Sequence, residues 1–247
     1  MSAVRQDVAV VTGGAQGIGA AIARELAQRD LSIAILDIND ELGNAVAGDL
    51  VEAGHRAEYL RCDLTSLEEV RATAELVTAR LGAVRVLVNN AGWTPHVKFL
   101  DQEPEDWARI IDINLTAVLN TCHAFAGAMV EGGGIVNLAS DAARVGVSYE
   151  AVYAGAKAGV VGFSKSLAVE IARRGIRVNV VSPGSTRTPL LDQLFTPEDL
   201  AKRVRIIPMG RFGEPEDVAR SVAFLALDAT HVTGQVISVN GGATRVG

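Results

Sequence analysis

Val8-Ala9-Val10-Val11-Thr12-Gly13-Gly14-Ala15-Gln16-Gly17-Ile18-Gly19 is the stretch on which the fold turns. Its first four residues form an apolar run too short for a buried helix and suited to a strand covered on both faces. The residues from Ile18 to Gln28 show helical periodicity, so the glycines occupy a strand-to-helix turn. Gly13, Gly17 and Gly19 let the backbone turn tightly and approach a ligand. The helix start presents free N–H groups and a positive dipole end, which together suit a pyrophosphate. The spacing Gly-x-x-x-Gly-x-Gly differs from the commoner Gly-x-Gly-x-x-Gly, and a purely structural turn is the competing reading.

Outward from this turn, strand-like runs recur at Ser32 to Leu36, Ala57 to Leu60, Val86 to Asn89, Ile135 to Leu138, Arg177 to Val181 and Val236 to Val239. Helical patterns alternate with them at Gly17 to Gln28, Glu41 to Ala53, Leu67 to Leu81, Glu105 to Met129, Tyr149 to Arg173 and Pro215 to Leu225. Parallel strands need crossover connections, so the alternation predicts an α/β fold. Its form is a single-domain, doubly wound, Rossmann-type sheet of seven parallel strands with helices on both faces. No linker or repeat divides residues 1–247. The irregular interval Ser182 to Gly213 holds several prolines and short helical patterns at Leu190 to Phe195 and Pro197 to Arg205. It reads as a substrate lid over about residues 185–212 or as a surface excursion.

Composition removes several classes. A net charge of -6 offers no general attraction to nucleic acid or to an anionic bilayer. The apolar runs are too short to span a membrane, and the residues before Val8 lack the long apolar segment of a secretory signal, so a soluble cytoplasmic protein is expected. Cys62 and Cys122 lie far apart without a Cys-x-x-Cys pattern, and His55, His96, His123 and His231 show no ligand spacing. Neither a disulfide framework nor a metal is expected.

Chemistry gathers later in the chain. Tyr153 and Lys157, four apart in a helical pattern, emerge on one face and place a cation beside a phenol. Lowering a phenol from about 10 by about three units takes roughly 4 kcal/mol of preferential anion stabilisation. An ammonium and an oxidised nicotinamide supply forces of that sign. Asp37 ends the second strand where a carboxylate accepts from an adenosine ribose and repels a 2′-phosphate. Neither Gln16 nor Ile38 nor Asn39 supplies a compensating cation, which favours NAD over NADP. Alternatively, Asp37 starts the next turn and Asn39 caps the helix after it.

With these residues in view, the chain resembles the classical short-chain dehydrogenase/reductase family over almost its whole length. The glycine motif corresponds to Thr12 through Gly19, an adenine-side acid to Asp63 in Cys62-Asp63-Leu64-Thr65, and a strand-four motif to Asn89-Asn90-Ala91-Gly92. Asn114, Ser140, Tyr153 and Lys157 match the catalytic tetrad. Pro183-Gly184, Thr233-Gly234-Gln235-Val236 and Gly241-Gly242 continue the match. The resemblance implies that Tyr153 exchanges the substrate proton and that Ser140 binds the substrate oxygen. Lys157 would lower the tyrosine pKa and hold the nicotinamide ribose, and Asn114 would organise a proton relay. It also implies a dinucleotide site of Gly13, Gln16, Gly17, Ile18, Gly19, Asp37, Ile38, Asp63, Leu64, Asn90, Ala91, Gly92, Tyr153, Lys157, Pro183, Gly184, Thr186 and Thr188.

Within the family, Ser140 through Gly146 and Glu150-Ala151-Val152-Tyr153 are similar to 2-hydroxycyclohexanecarboxyl-CoA dehydrogenases. Gly162 through Ala168 resembles 3-oxoacyl-thioester reductases. Both imply a ketone β to a thioester, hence a small-molecule substrate, a cyclic β-hydroxyacyl-CoA ahead of a carrier-protein thioester. Trp93, Val145, Val147, Leu190, Leu191 and Leu194 are expected either to line an apolar pocket or to be ordinary packing. Arg144, with His96 and Lys98, either meets CoA phosphates or is solvated charge. A cyclic alcohol, polyol or steroid dehydrogenase stays open, as does a non-catalytic NAD-binding redox sensor. Related enzymes are commonly homotetramers.

Overall fold

The computed structural model describes residues 7–189, 191 and 195–246. The helical pattern at Leu190 to Phe195 therefore falls largely outside the described residues, as do Leu190 and Leu194. Seven strands form one parallel sheet: β1 (Val8–Thr12), β2 (Ser32–Asp37), β3 (Ala57–Arg61), β4 (Val84–Asn89), β5 (Gly134–Leu138), β6 (Arg177–Pro183) and β7 (Val236–Val239). Their order is β3-β2-β1-β4-β5-β6-β7. Every pairing is parallel, with β1 at the reversal between β2 and β4.

Alternate residues of the strands feed two separate cores. Ala9, Val11, Ile33 and Ile35 pack with helices α1 (Gly17–Ala27), α2 (Asp40–Glu52) and α9 (Pro215–Ala223). Val8, Val10, Ala34 and Leu36 pack on the other face with α3 (Leu67–Arg80), α5 (Ala117–Ala126) and α7 (Ala151–Ile171). This is why the strands read as continuous apolar runs: both sides are buried. The remaining α-helices are α4 (Pro104–Ile111), the single turn α6 (Ala142–Val145) and α8 (Pro197–Arg205).

Three helices start on one device. Glu103-Pro104-Glu105-Asp106, Thr196-Pro197-Glu198-Asp199 and Glu214-Pro215-Glu216-Asp217 each put proline at the first helical position and an acid at the third. Proline there gives up no needed N–H, and the acids meet the positive helix end. At α9, Asp217 accepts from the Glu214 N–H at 2.9 Å and from Arg211 at 2.6 Å. Those bonds, the Arg211 one foremost, bring its carboxyl down to about 2.

Two continuous helical patterns prove to be interrupted. Between α4 and α5 the chain forms a π-helical segment, Asp112–Thr116, and α9 runs into another, Phe224–Asp228. Among the described residues no helix is long and apolar enough to cross a membrane.

Candidate active site

Six strand ends, that of β3 among them through Cys62, open onto one cleft of about 980 Å³ on the carboxyl side of the sheet. Gly13 follows β1, Asp37 closes β2, Asn90 follows β4, Ser140 lies just beyond β5 and Pro183 closes β6. The cleft stands where the strand order reverses, the place at which doubly wound sheets bind ligands.

On one side, Gly13 and Gly17 have φ of 61° and 53°, a region that favours glycine. Gln16, the residue before α1, gives the helix no side-chain cap, and the first turn has no acid. The helix start thus faces the cleft with open N–H donors. The residues fit a pyrophosphate here. Gly19 is buried behind this turn instead of lining the cleft; a Cβ on it would lie 2.0 Å from the Gly13 carbonyl oxygen. Its role is to let α1 approach the turn.

Asp37 meets both readings of the sequence. Its carboxylate accepts from the N–H groups of Ala15 (3.1 Å), Ile38 (2.8 Å) and Asn39 (3.1 Å), while the residue also lines the cleft. Asn39 caps α2 by accepting from the Leu42 N–H at 3.0 Å. Arg61 is committed to the Ile38 carbonyl and to Asp40. Asp63 holds its own turn, accepting from Thr65, and lines the cleft with Leu64.

On the other side stand Ser140, Tyr153 and Lys157. A buried polar network sets α7 against the sheet: Asn89 donates to Asn137 at 2.8 Å, Asn137 to Ser164 at 2.8 Å, and Thr121 to Asn89 at 2.6 Å. Such a network fixes one helix position because any shift leaves buried donors unpaired. Lys157 is buried, and its Nζ donates to the Leu138 carbonyl at 2.9 Å and lies 5.9 Å from the Tyr153 ring centroid. Asn114 lies beneath the cleft lining with no exposed surface. Its amide donates to the Ile110 carbonyl (2.8 Å) and the Trp93 carbonyl (2.7 Å), and its oxygen accepts from the Trp93 N–H (3.2 Å). The π segment interrupts the regular helical bonding around Ile110, and the Asn114 side chain supplies a donor to that carbonyl.

In the chain's own field, burial dominates. It pushes the Tyr153 phenol up to about 12, the nearby Glu150 carboxylate adds to the rise, and a hydrogen bond with Ser140 opposes both. Burial brings Lys157 down to about 8. Both groups are thus driven toward their neutral forms. A lowered phenol requires a further positive charge, which an oxidised nicotinamide would supply along with the hydride acceptor.

Of the expected substrate-pocket residues, Trp93, Val147 and Leu191 line the cleft; Arg144 and Val145 do not. Arg144 turns away, donating to Ser238 at 2.7 Å and to the Val246 carbonyl at 2.8 Å, so it is not placed to meet a CoA phosphate. Next to Ser140, Asp141 accepts from Ser182, Ser238, Asn240 and Thr244. Glu150, Phe195, Arg109 and Arg203 also line the cleft, and sequence reading had not assigned them there. Glu150 precedes Tyr153 by three residues, a spacing available as a signal; Phe195, Arg109 and Arg203 offered none.

Comparison with known proteins now adds a second kind of observation. A family model described as enoyl-(acyl carrier protein) reductase matches residues 13–244. The chain is 43% identical to cis-4-hydroxycyclohexanecarboxylate dehydrogenase of Sinomonas cyclohexanicum, covering 99% of each chain. The chain belongs to the short-chain dehydrogenase/reductase family. Cyclohexanol dehydrogenase of an Acinetobacter species is 38% identical, over 96% of this chain and 94% of its own. Among solved structures, a variant of actinorhodin polyketide ketoreductase with NADPH superposes with a TM-score of 0.93 at 35% identity, covering all of both chains. This short-chain dehydrogenase/reductase is accordingly an oxidoreductase of alcohol and ketone substrates that uses a nicotinamide dinucleotide.

Proposed function

We propose that the chain is an NAD-dependent dehydrogenase of secondary alcohols on saturated rings that carry a carboxyl-derived group. The observation that carries the reaction is the convergence of Ser140, Tyr153 and Lys157 on one cleft with the glycine turn. Tyr153 exchanges the proton of the substrate oxygen, Ser140 holds that oxygen, and Lys157 binds the nicotinamide ribose and favours the phenolate. Asn114 supports the proton path beneath them. Two preplaced donors meet the oxygen whose charge changes.

The preference for NAD rests on Asp37 in the cleft and on Arg61, the guanidinium near it, being occupied by Ile38 and Asp40. The ring assignment rests on the similarity to two alicyclic alcohol dehydrogenases. A cyclic β-hydroxyacyl-CoA, such as 2-hydroxycyclohexanecarboxyl-CoA, is the form favoured by the stretch from Ser140 to Tyr153. The free acid is the second form, favoured by the withdrawal of Arg144 from the cleft. A homotetramer built on long helices is part of the same reading, supported by Val169 standing 80% exposed on α7; a monomer in light scattering would remove it.

NADH absorbance with cyclic hydroxyacyl-CoA, cyclic hydroxy acids, free cyclohexanols and linear 3-hydroxyacyl-CoA tests the assignment against both nicotinamide cofactors. Turnover of ring alcohols with NAD is expected. Tyr153→Phe should cut kcat by about 10³-fold while sparing NAD affinity. Full turnover in that variant, or none with any alcohol in the wild type, contradicts the reading.

A further inference from the structure

The lid brings one positive charge into the substrate half of the cleft. Arg203, on α8, is half-buried with its guanidinium carbon 3.7 Å from the centroid of the Phe195 ring. That ring meets His96 edge-on at 4.9 Å, and His96 Nδ1 lies 3.5 Å from the Glu150 carboxylate. Glu150 is three helix positions before Tyr153. Glu150, Phe195 and Arg203 all line the cleft with Ser140 and Tyr153.

The electrostatics follow the same path. Arg203 lowers the pKa of both Glu150 and His96, although burial is the larger influence on each, and Glu150 raises that of Tyr153. The guanidinium field therefore reaches the neighbourhood of the reacting phenol. His96 is driven neutral, so it adds no second cation. Burial pushes the Glu150 carboxyl up, against the pull of Arg203.

Stacking on Phe195 occupies one face of the guanidinium and leaves its N–H edge open; among the described residues the Arg203 guanidinium makes no ion pair or hydrogen bond. Such an edge matches a carboxylate bidentately. The backbone around it is held in unusual conformations: His96 and Tyr149, whose rings lie 5.2 Å apart, have φ of 53° and 71°. Strain of this kind concentrates at ligand-binding positions.

We propose that Arg203 is the substrate-carboxylate receptor of the cleft, and that the substrate class is a ring hydroxy acid presented as the free acid, its carboxylate on Arg203 and its hydroxyl at Tyr153. This rests on the ring-alcohol reading above and narrows it. The lid then serves for selection as well as for cover, since the residue that recognises the acid arrives with α8.

The test compares wild type, Arg203→Met and Arg109→Met. Arg109 also lines the cleft, stacked 4.1 Å over Trp93, but it is exposed. With NAD, kcat/KM is measured for 4-hydroxycyclohexanecarboxylate and for neutral 4-methylcyclohexanol. Arg203→Met should lose about 30-fold more on the acid than on the alcohol, mostly in KM. Equal losses on the two substrates, or a selective loss in Arg109→Met instead, would overturn the assignment.

Calorimetric binding of cyclohexanecarboxylate to the NADH-loaded protein gives a readout free of turnover. Binding weakened at least tenfold in Arg203→Met supports the carboxylate site even if no ring alcohol reacts, in which case only the ring-alcohol reading falls. No binding by wild type, or equal binding by both proteins, sinks the carboxylate site while leaving turnover of neutral ring alcohols intact as a separate result.

Discussion

Gly92 packs directly against Asn114 and Lys157. A Cβ there would lie 2.9 Å from Asn114 Oδ1 and 3.3 Å from Lys157 Nζ, so even alanine would displace one of them. Gly92→Ala should therefore lower kcat by about 100-fold, the scale of an ångström-sized misplacement, with only a small change in thermal midpoint. Wild-type turnover in this variant would mean that the position of Lys157 matters less than its packing suggests. The meeting of Ser140, Tyr153 and Lys157 at one cleft was legible because they stand at fixed places on elements whose pattern is strong. The burial of Gly19 behind the turn was not legible, because a glycine in a motif does not announce whether it faces the cleft or the helix behind it. The turning of Arg144 toward Ser238 and Val246 was not legible, because those partners lie about a hundred positions later.

Asp217 carries the prediction at the scale of the element. Its carboxyl is held at about 2, against an ordinary 3.8, by Arg211 and by the Glu214 N–H. A group lowered on folding stabilises the fold fully above its unfolded value, and that stability disappears as pH falls through the folded one. The start of α9 should thus lose up to about 2 kcal/mol between pH about 4 and 2. Asp217→Asn should flatten that part of the pH-stability curve in acid unfolding; an unaltered curve would refute the role. The three Pro-Glu-Asp starts were visible in the sequence, and α8 and α9 begin where expected. The π segments were not visible. An added residue in a helical turn changes which carbonyls are bonded without changing the apolar pattern enough to register, so Glu105 to Met129 read as one helix. The expected strands all formed, with only their ends shifting; the inner runs, buried on both faces, admit no other placement in a parallel sheet.

For the whole molecule, the cleft joins the two halves of the sheet, so ligand binding should be felt as global stability. A dinucleotide at about 100 times its Kd adds about 2.7 kcal/mol, or about 5–10 °C in Tm for a chain of this size. NAD should produce that shift more strongly than NADP, and Asp37→Arg should reverse the order in a thermal melt. Equal shifts by both nucleotides, before and after the substitution, would remove Asp37 as the discriminating residue. The seven-stranded architecture could be foreseen because each strand declared itself locally. The cleft's charge pattern could not, since it depends on how Phe195 and Arg203 pack beside Glu150 and His96.

Asp141 binds residues from β6, β7 and the tail beside the very turn that bears Ser140. Grafting the C-terminal segment of a relative onto this chain would consequently retune chemistry far upstream. A chimera that omits Asn240 or Thr244 should inherit the donor's sequence yet lose the recipient's hydroxyl alignment, and exchanges meant to alter only the rim will need both residues carried across together.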